Sequence, residues 1–108
     1  EKNGEIANLQ KIFSEALAKR DLPLQRELVK KICMYMTMGI DVSPLYSSMI
    51  MASNTTDVVQ KKLVYMFLSY LSRQKGNHDI ALLAINTMHR DCKDSNPIIR
   101  GLALRSLS

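Results

Sequence analysis

The sequence predicts an all-α protein, built as a solenoid of two-helix repeats, and three observations indicate this. Runs of Leu, Ala, Met, Ile, Lys and Glu favour helix, and alternating β-branched residues are nearly absent. Apolar residues recur at steps of three and four along six segments, as they do on one face of a helix. Similar heptapeptides return at spacings of 35 and 39 residues, which are typical lengths of a two-helix repeat.

The first two predicted helices form one hairpin. The first runs from Glu5 to Lys19. The second is capped by Asp21, carries Pro23 in its first turn, where proline loses no hydrogen bond, and stops at Gly39. The predicted apolar faces are Ile6, Leu9, Ile12, Phe13, Ala16 and Leu17, followed by Leu24, Leu28, Val29, Ile32, Cys33 and Met36.

The next two predicted helices differ in length. Ser43 and Pro44 repeat the cap-then-proline pattern and open a short third helix that continues to about Met51. A longer fourth helix covers residues 57–74 and ends at the "KGN" of residues 75–77. Its centre, "LVYMFLSYL", is apolar nearly all the way round, so we expect other elements to cover it on more than one side.

A fifth helix is predicted over residues 78–92, and a sixth begins at Asn96 and Pro97. The stripe of the fifth helix is Ile80, Leu83, Ala84 and Met88, and that of the sixth is Ile98, Ile99, Leu102, Ala103 and Leu107. The sixth stripe continues almost to Ser108. We therefore expect this helix to be part-exposed, with a further hairpin packing on it beyond residue 108, and the chain to be a piece of a longer protein.

The repeat signal lies in the even-numbered helices. "RELVKKI", "KKLVYMF" and "RGLALRS" each place a basic residue two positions before a leucine, namely Arg26, Lys61 and Arg100. In a solenoid each hairpin buries its apolar face only against its neighbours. The register of these matches is approximate, so a compact helical bundle is the alternative architecture.

One stretch resembles a catalytic motif. His89, Arg90 and Asp91, with Asn96 five residues after the aspartate, match the spacing of a protein-kinase catalytic loop. No glycine-rich loop precedes the stretch, and a helical chain of 108 residues cannot supply a nucleotide-binding lobe. Asp91 and Asp94 are therefore expected as solvated charges in an exposed joint between helices. The sequence predicts no enzyme, no catalytic residue and no cofactor.

The cysteines and histidines predict no metal site. Cys33 and Cys92 are the only cysteines and are expected as free, buried thiols of a protein in a reducing compartment. His89 and Cys92 lie three residues apart, but a structural zinc site needs four ligands in close pairs. No apolar run approaches the roughly 18 residues that a membrane span requires.

The charge balance suggests an anionic partner. The formal net charge is +5 and the isoelectric point is near 9.4. Lysine pairs at 30–31 and 61–62, together with Arg26, could form a positive strip on related helix faces, suited to lipid phosphates or an acidic protein. The alternative is that these side chains are only the solvated sides of amphipathic helices. A helical-repeat module that binds nucleic acid is the alternative function, although no basic–aromatic interleaving supports it.

Several segments resemble a known family. "MTMGIDVSPLY", "KKLVYMFLSYL" and "DIALLAINTMHRDCKDSNPIIRGLALRSL" are similar to the start of the beta-type large subunit of adaptor-protein complexes, the beta-adaptins, across about residues 25–108. "VVQKKLVY" and "IIRGLALRSL" are most similar to the beta subunit of the fourth adaptor complex. The resemblance implies a HEAT/armadillo-like α-solenoid, of which residues 1–108 are the incomplete N-terminal part of the trunk. It also implies that "HRDCKDSNP" is a loop joining two trunk helices.

The resemblance implies a role in vesicle-mediated protein transport from the trans-Golgi network to endosomes. The implied partners are the medium subunit, the second large subunit, an Arf-type small GTPase and anionic membrane lipids, with no nucleic acid. The implied location is cytoplasmic, peripheral on trans-Golgi membranes and coated vesicles. Family members often carry a lysine-rich second helix suited to phosphoinositides. Here "RDLPLQRELVKK" keeps Arg26, Lys30 and Lys31 but interposes Pro23, Leu24 and Gln25.

Overall fold

The computed structural model describes residues 2–74 and 76–107, and this part of the chain contains helices and no strand. A 3-10 turn at Ser43–Leu45 leads into the third helix. Lys75, within the predicted "KGN" break, and Ser108 lie outside the described residues. The helices are α1 (Lys2–Ala18), α2 (Leu22–Thr37), α3 (Tyr46–Ala52), α4 (Val58–Ser72), α5 (His78–Asp91) and α6 (Pro97–Leu107).

The helices pack as three hairpins in two layers. The hairpins are α1–α2, α3–α4 and α5–α6. In one layer α3 lies between α1 and α5, and in the other α4 lies between α2 and α6. The shortest dimension of the molecule is 20 Å, which is the thickness of two helices at about 10 Å each. The predicted all-α solenoid is therefore confirmed, because each hairpin packs on its sequence neighbours.

The same type of cap recurs at the start of α2, α4 and α6, the three helices of one layer. In each case a side-chain oxygen accepts a hydrogen bond from a backbone N–H of the first turn, which satisfies a donor that the helix leaves unpaired. The bonds are Leu24 N to Asp21 (3.2 Å), Val59 N and Gln60 N to Asp57 (3.0 and 3.2 Å) and Ile98 N to Asn96 (2.9 Å). The predicted caps Asp21 and Asn96 are confirmed.

The core centres on α4. This helix packs against α2, α3, α5 and α6, which confirms that its apolar centre is covered on more than one side. Its fully buried side chains include Val64, Phe67 and Leu68. At α6, Ile99 and Leu102 are buried while Ile98 is exposed, so the predicted part exposure of that helix is also confirmed.

Four details of the prediction need correction. Ser43, predicted to cap the third helix, lies inside the 3-10 turn, whose cap residue is Val42 and which has no side-chain cap hydrogen bond. α1 begins at Lys2, earlier than the predicted Glu5. Leu24 and Leu83, predicted on buried faces, are 38% and 39% exposed, because each lies at the margin of its apolar stripe rather than at its centre.

Candidate interaction surfaces

Lys61 is buried, which corrects the predicted positive strip. Its Nζ donates hydrogen bonds to Asp91 Oδ2 and to the Ser53 carbonyl, both at 2.7 Å. The Tyr65 hydroxyl donates to the same Asp91 oxygen. Lys61 is only 3% exposed and Asp91 4%, because the end of α5 packs against α4. Asp91 therefore does not lie in an exposed joint as predicted, and Lys61 cannot meet a lipid or a partner protein.

The environment of Asp91 favours its charged form. Burial acts to raise the pKa of this carboxyl, but the hydrogen bonds from Lys61 and Tyr65 and the charge of Lys61 outweigh burial, so the pKa is lowered. Burial and the hydrogen bond to Asp91 both raise the pKa of Tyr65. Lys61 and Asp91 thus form a buried ion pair, and the protonated hydroxyl of Tyr65 donates a further hydrogen bond to Asp91.

Arg26 links the first hairpin to the second. Its Nε donates to Asp57 Oδ2 at 2.9 Å, and its Nη2 contacts the same oxygen. Asp57 is also the cap of α4, so one carboxylate serves both the helix and the link. Burial acts to raise the pKa of Asp57, but the Arg26 hydrogen bond and the backbone donors outweigh it, so the pKa is lowered. Arg26, 41% exposed in its side chain, is only partly available to a partner.

The basic residues that mark the repeat therefore hold the joints of the solenoid. Arg26 and Lys61 each bind a carboxylate supplied by the following hairpin. Arg100, at the equivalent position of α6, donates to the carbonyls of Asp94 (2.8 Å) and Ser95 (3.0 Å) in its own hairpin. The sequence pattern identified the repeat correctly, but the role of these residues was missed.

A pair of buried glutamines connects the first two hairpins, and sequence reasoning did not identify it. Gln25 Nε2 donates to the Ala16 carbonyl at 3.1 Å. Gln60 Nε2 donates to the Ala52 carbonyl at 2.8 Å and to Gln25 Oε1 at 3.1 Å. The two glutamines are 35 residues apart, which matches the repeat length and is the signal that could have revealed them.

The joint at Asp57 gives a first prediction. We expect Asp57→Ala to lower the free energy of unfolding by about 1–2 kcal/mol, because it removes the cap of α4 and the partner of Arg26. Asp57→Asn keeps a capping oxygen and should cost clearly less. Urea denaturation of both variants measures the difference, and equal losses would contradict a separate capping role.

Three of the five predicted basic residues remain exposed. Lys30, Lys31 and Lys62 lie on the outer side of α2 and α4. Lys30 Nζ is 3.7 Å from Glu27, its neighbour one turn earlier, and Lys31 Nζ is 5.9 Å from the centre of the Tyr35 ring. These three lysines stay a candidate surface for anionic ligands.

An exposed apolar stripe lies on α5. Leu82 is 61% exposed and Ile85 is 50% exposed, with Leu83 beside them. The opposite side of the same helix is buried, through Ile80 and Met88 among others. Contiguous exposed apolar side chains on a well-packed protein often mark a binding surface. We call Leu82, Leu83 and Ile85 the α5 stripe.

The kinase-like stretch has structural roles in this fold. Asp91 is enclosed by Lys61 and Tyr65, and Asn96 caps α6. Cys33 and Cys92 are both free, but only Cys33 is buried as predicted, and Cys92 is partly buried. Burial raises the pKa of Cys33 to about 11. Within residues 2–74 and 76–107, no three His, Cys, Asp or Glu side chains are grouped to hold a metal ion. No helix in this part of the chain combines the length and apolar character needed to cross a membrane.

Comparisons with known proteins agree with these features. The family model described as "Adaptin N terminal region" matches residues 1–108. The chain is 43% identical over 106 residues to "AP-4 complex subunit beta" of Dictyostelium discoideum, and 53% over 83 residues to "Beta-adaptin-like protein A" of Arabidopsis thaliana. It is 41% identical over 102 residues to "AP-4 complex subunit beta-1" of Mus musculus. These alignments cover 98%, 77% and 94% of the chain but only 12%, 10% and 14% of the relatives.

Proposed function

We propose a function from one premise: the chain belongs to the adaptin N-terminal region family. The resemblance to beta-adaptins is confirmed, because the relatives include beta subunits of AP-4 complexes. We propose that residues 1–108 are the N-terminal part of the trunk of such a beta-type subunit. The subunit acts in a vesicle-coat adaptor complex that sorts cargo between the trans-Golgi network and endosomes. It is cytoplasmic and peripheral on those membranes and on coated vesicles.

The proposed mechanism is the presentation of surfaces at fixed spacing, without catalysis. Buried links through Lys61 and Gln60 hold successive hairpins in register. The medium subunit, the second large subunit, a GTPase and anionic lipids can then each meet a rigid surface. The loss of Arg26 and Lys61 to structural links reduces the exposed positive charge, which disfavours the nucleic-acid alternative.

The observation that carries the proposal is the α5 stripe. We propose that it binds an Arf-type GTPase in the GTP-loaded state, because the switch segments of GTPases are ordered only while the γ-phosphate is present. Lys30, Lys31 and Lys62 lie on the other helix layer, where they could meet anionic lipid headgroups. The two layers would then serve different partners.

Charge placed on the α5 stripe tests this assignment. We expect Leu82→Asp with Ile85→Asp, in the full-length subunit, to weaken binding of a GTP-loaded Arf-type GTPase by about 100-fold or more. The reason is that two apolar contacts are lost and two carboxylates are desolvated. Isothermal titration calorimetry with the GTPase loaded with a non-hydrolysable GTP analogue provides the measurement.

The matched control is Met34→Asp with Met38→Asp. These methionines are exposed to a similar degree, 50% and 64%, but lie at the end of α2, in the other layer. We expect wild-type GTPase binding from this variant and an unchanged circular dichroism spectrum from both. Equal affinity of the α5 variant and the wild type would refute the assignment.

A further inference from the structure

A groove crosses all three hairpins at the edge where their internal joints lie. Its volume is about 810 Å³. The first hairpin contributes Arg20 and Leu22, the second Met51 and Asn54, and the third Arg90 and Asp94. It contains no residue of the α5 stripe and neither Lys30, Lys31 nor Lys62, so it is separate from the surfaces assigned above.

Arg20 occupies a backbone conformation that glycine would adopt more easily. Its φ is 54°, in the left-handed region, and the other left-handed residues of the described chain are Gly39 (φ 83°) and Gly76 (φ 88°). A side chain with a Cβ is strained there. The Arg20 side chain is exposed and has no ion pair or hydrogen bond to the other described residues. A backbone outlier of this kind is often tied to a function of its side chain, here a guanidinium that faces the groove.

The charges that face the groove leave a positive excess. Lys61 and Asp91 in the floor neutralise each other at 2.7 Å. Arg90, with Nε 3.5 Å from Asp91 Oδ1, is 54% exposed in its side chain. Asp94 is the one opposing carboxylate on the described rim, and its Oδ1 accepts the N–H of Asn96 at 2.8 Å. Two guanidiniums thus face one carboxylate.

Part of the groove lining is apolar. Leu22 and Met51 line it and are 49% and 58% exposed, and Leu17 adds to the same wall. The second hairpin also contributes polar lining, namely Asn54, Thr55 and Thr56, whose side chains can donate and accept hydrogen bonds. A ligand that matches this lining carries negative charge for the two guanidiniums, an apolar group for Leu22 and Met51, and polar groups for the second hairpin.

We propose that the groove binds an extended acidic segment of a partner protein. One carboxylate pairs with Arg20, a second pairs with Arg90, and an apolar side chain between them packs on Leu22 and Met51. Neighbouring helices of a layer lie about 8–10 Å apart, so Arg20 and Arg90 are separated by about 16–20 Å. An extended chain advances about 3.3 Å per residue, which places the two carboxylates about five or six residues apart.

A labelled peptide tests the proposal. The probe is an extended nonapeptide with Glu at its second and seventh positions, Leu between them and Ala or Ser elsewhere, and its control carries Gln in place of both Glu residues. We expect fluorescence anisotropy to show saturable binding of the acidic probe to the chain and at least about tenfold weaker binding of the control. Arg20→Ala and Arg20→Gly should each weaken binding about tenfold or more, and Lys93→Ala, an exposed joint residue outside the groove, should not.

The two Arg20 variants separate binding from strain. Both lose the guanidinium, but glycine accepts the left-handed backbone, so Arg20→Gly should unfold at a higher temperature than Arg20→Ala while binding equally poorly. Wild-type affinity in either variant would overturn the proposal, and so would equal binding of the Glu and Gln peptides. Binding of phosphatidylserine vesicles that requires Arg20, with no peptide binding, would identify a membrane as the ligand and also overturn it. The result is independent of the GTPase test, because the two surfaces share no residue.

Discussion

We expect Asp91→Asn to lower the free energy of unfolding by about 3–5 kcal/mol, because it leaves the Lys61 ammonium buried without a counter-charge. The side chains of the pair are only 4% and 6% exposed. In the variant, Lys61 must either remain charged without solvent or give up its proton, and both states cost free energy. Urea denaturation of the wild type and the variant measures the loss.

Combining Asp91→Asn with Lys61→Met tests whether the unpaired lysine causes the loss of stability. Lys61→Met should destabilise the wild type but stabilise the Asp91→Asn protein, because there it removes an unpaired buried charge. The asparagine side chain introduced in the double variant still offers an acceptor to the Tyr65 hydroxyl. Lys62→Met, at the exposed neighbouring position, should change stability by no more than about 0.5 kcal/mol. If Lys61→Met changes the free energy of unfolding in the same direction in both backgrounds, the broken ion pair is not the cause of the destabilisation by Asp91→Asn.

The ion pair between Lys61 and Asp91 also makes the free energy of unfolding depend on pH. The folded pKa of Asp91 lies below its ordinary value of about 3.9, so the unfolded chain binds a proton first as the pH falls. The stability that the pair contributes is therefore complete above about pH 5 and is lost progressively as the pH falls toward the folded pKa. Asp91→Asn should flatten the fall of the unfolding free energy between about pH 5 and pH 3.

The features that sequence predicted well are local ones. Asp21 and Asn96 cap helices by hydrogen bonds to residues two or three positions away, and Gly39 ends α2 through its own positive φ. Apolar periodicity likewise depends on residues three and four positions apart. Such signals can be read from one short window of the chain, so the helices and the repeat were predicted within a few residues.

The features that sequence missed depend on distant residues. Lys61 shares its repeat position with Arg26 and Arg100 and Lys62 does not, but this pattern does not show that Lys61 is buried against Asp91, 30 residues away in the next hairpin. The Arg26–Asp57 link spans 31 residues and the Gln25–Gln60 link spans 35. A search for polar residues at the repeat spacing could have found the glutamines, but nothing local assigns a partner to a lysine.

The α5 stripe falls between these cases. The apolar face that the sequence predicted for the fifth helix included Ile80 and Met88, which are buried, and Leu83, which is not. Leu82 and Ile85 lie on the other side of the same helix and were not identified. Their apolar character was visible, but a helix with two apolar sides can equally be a buried one, as α4 is. Only the packing of α5 against neighbours on one side shows that the second side is exposed.

We also expect a large loss of stability from Phe67→Ala, about 3–5 kcal/mol, because Phe67 is fully buried at the centre of α4. A domain of this size has about 5–15 kcal/mol in total. The variant should therefore unfold at a much lower urea concentration than the wild type. Met66→Ala is the matched control, since Met66 is adjacent in sequence but 46% exposed, and it should cost no more than about 0.5 kcal/mol.

Phe67→Ala also tests how the hairpins are coupled. α4 packs on α2 in one direction and on α6 in the other, so weakening it removes support from both end hairpins. Hydrogen exchange should show that amides of α2 and α6 lose protection together in the variant. Wild-type protection in α2 alongside a loss in α6 would mean that the first hairpin is stable without α4. The rigid spacing between surfaces on different hairpins would then lack a physical basis.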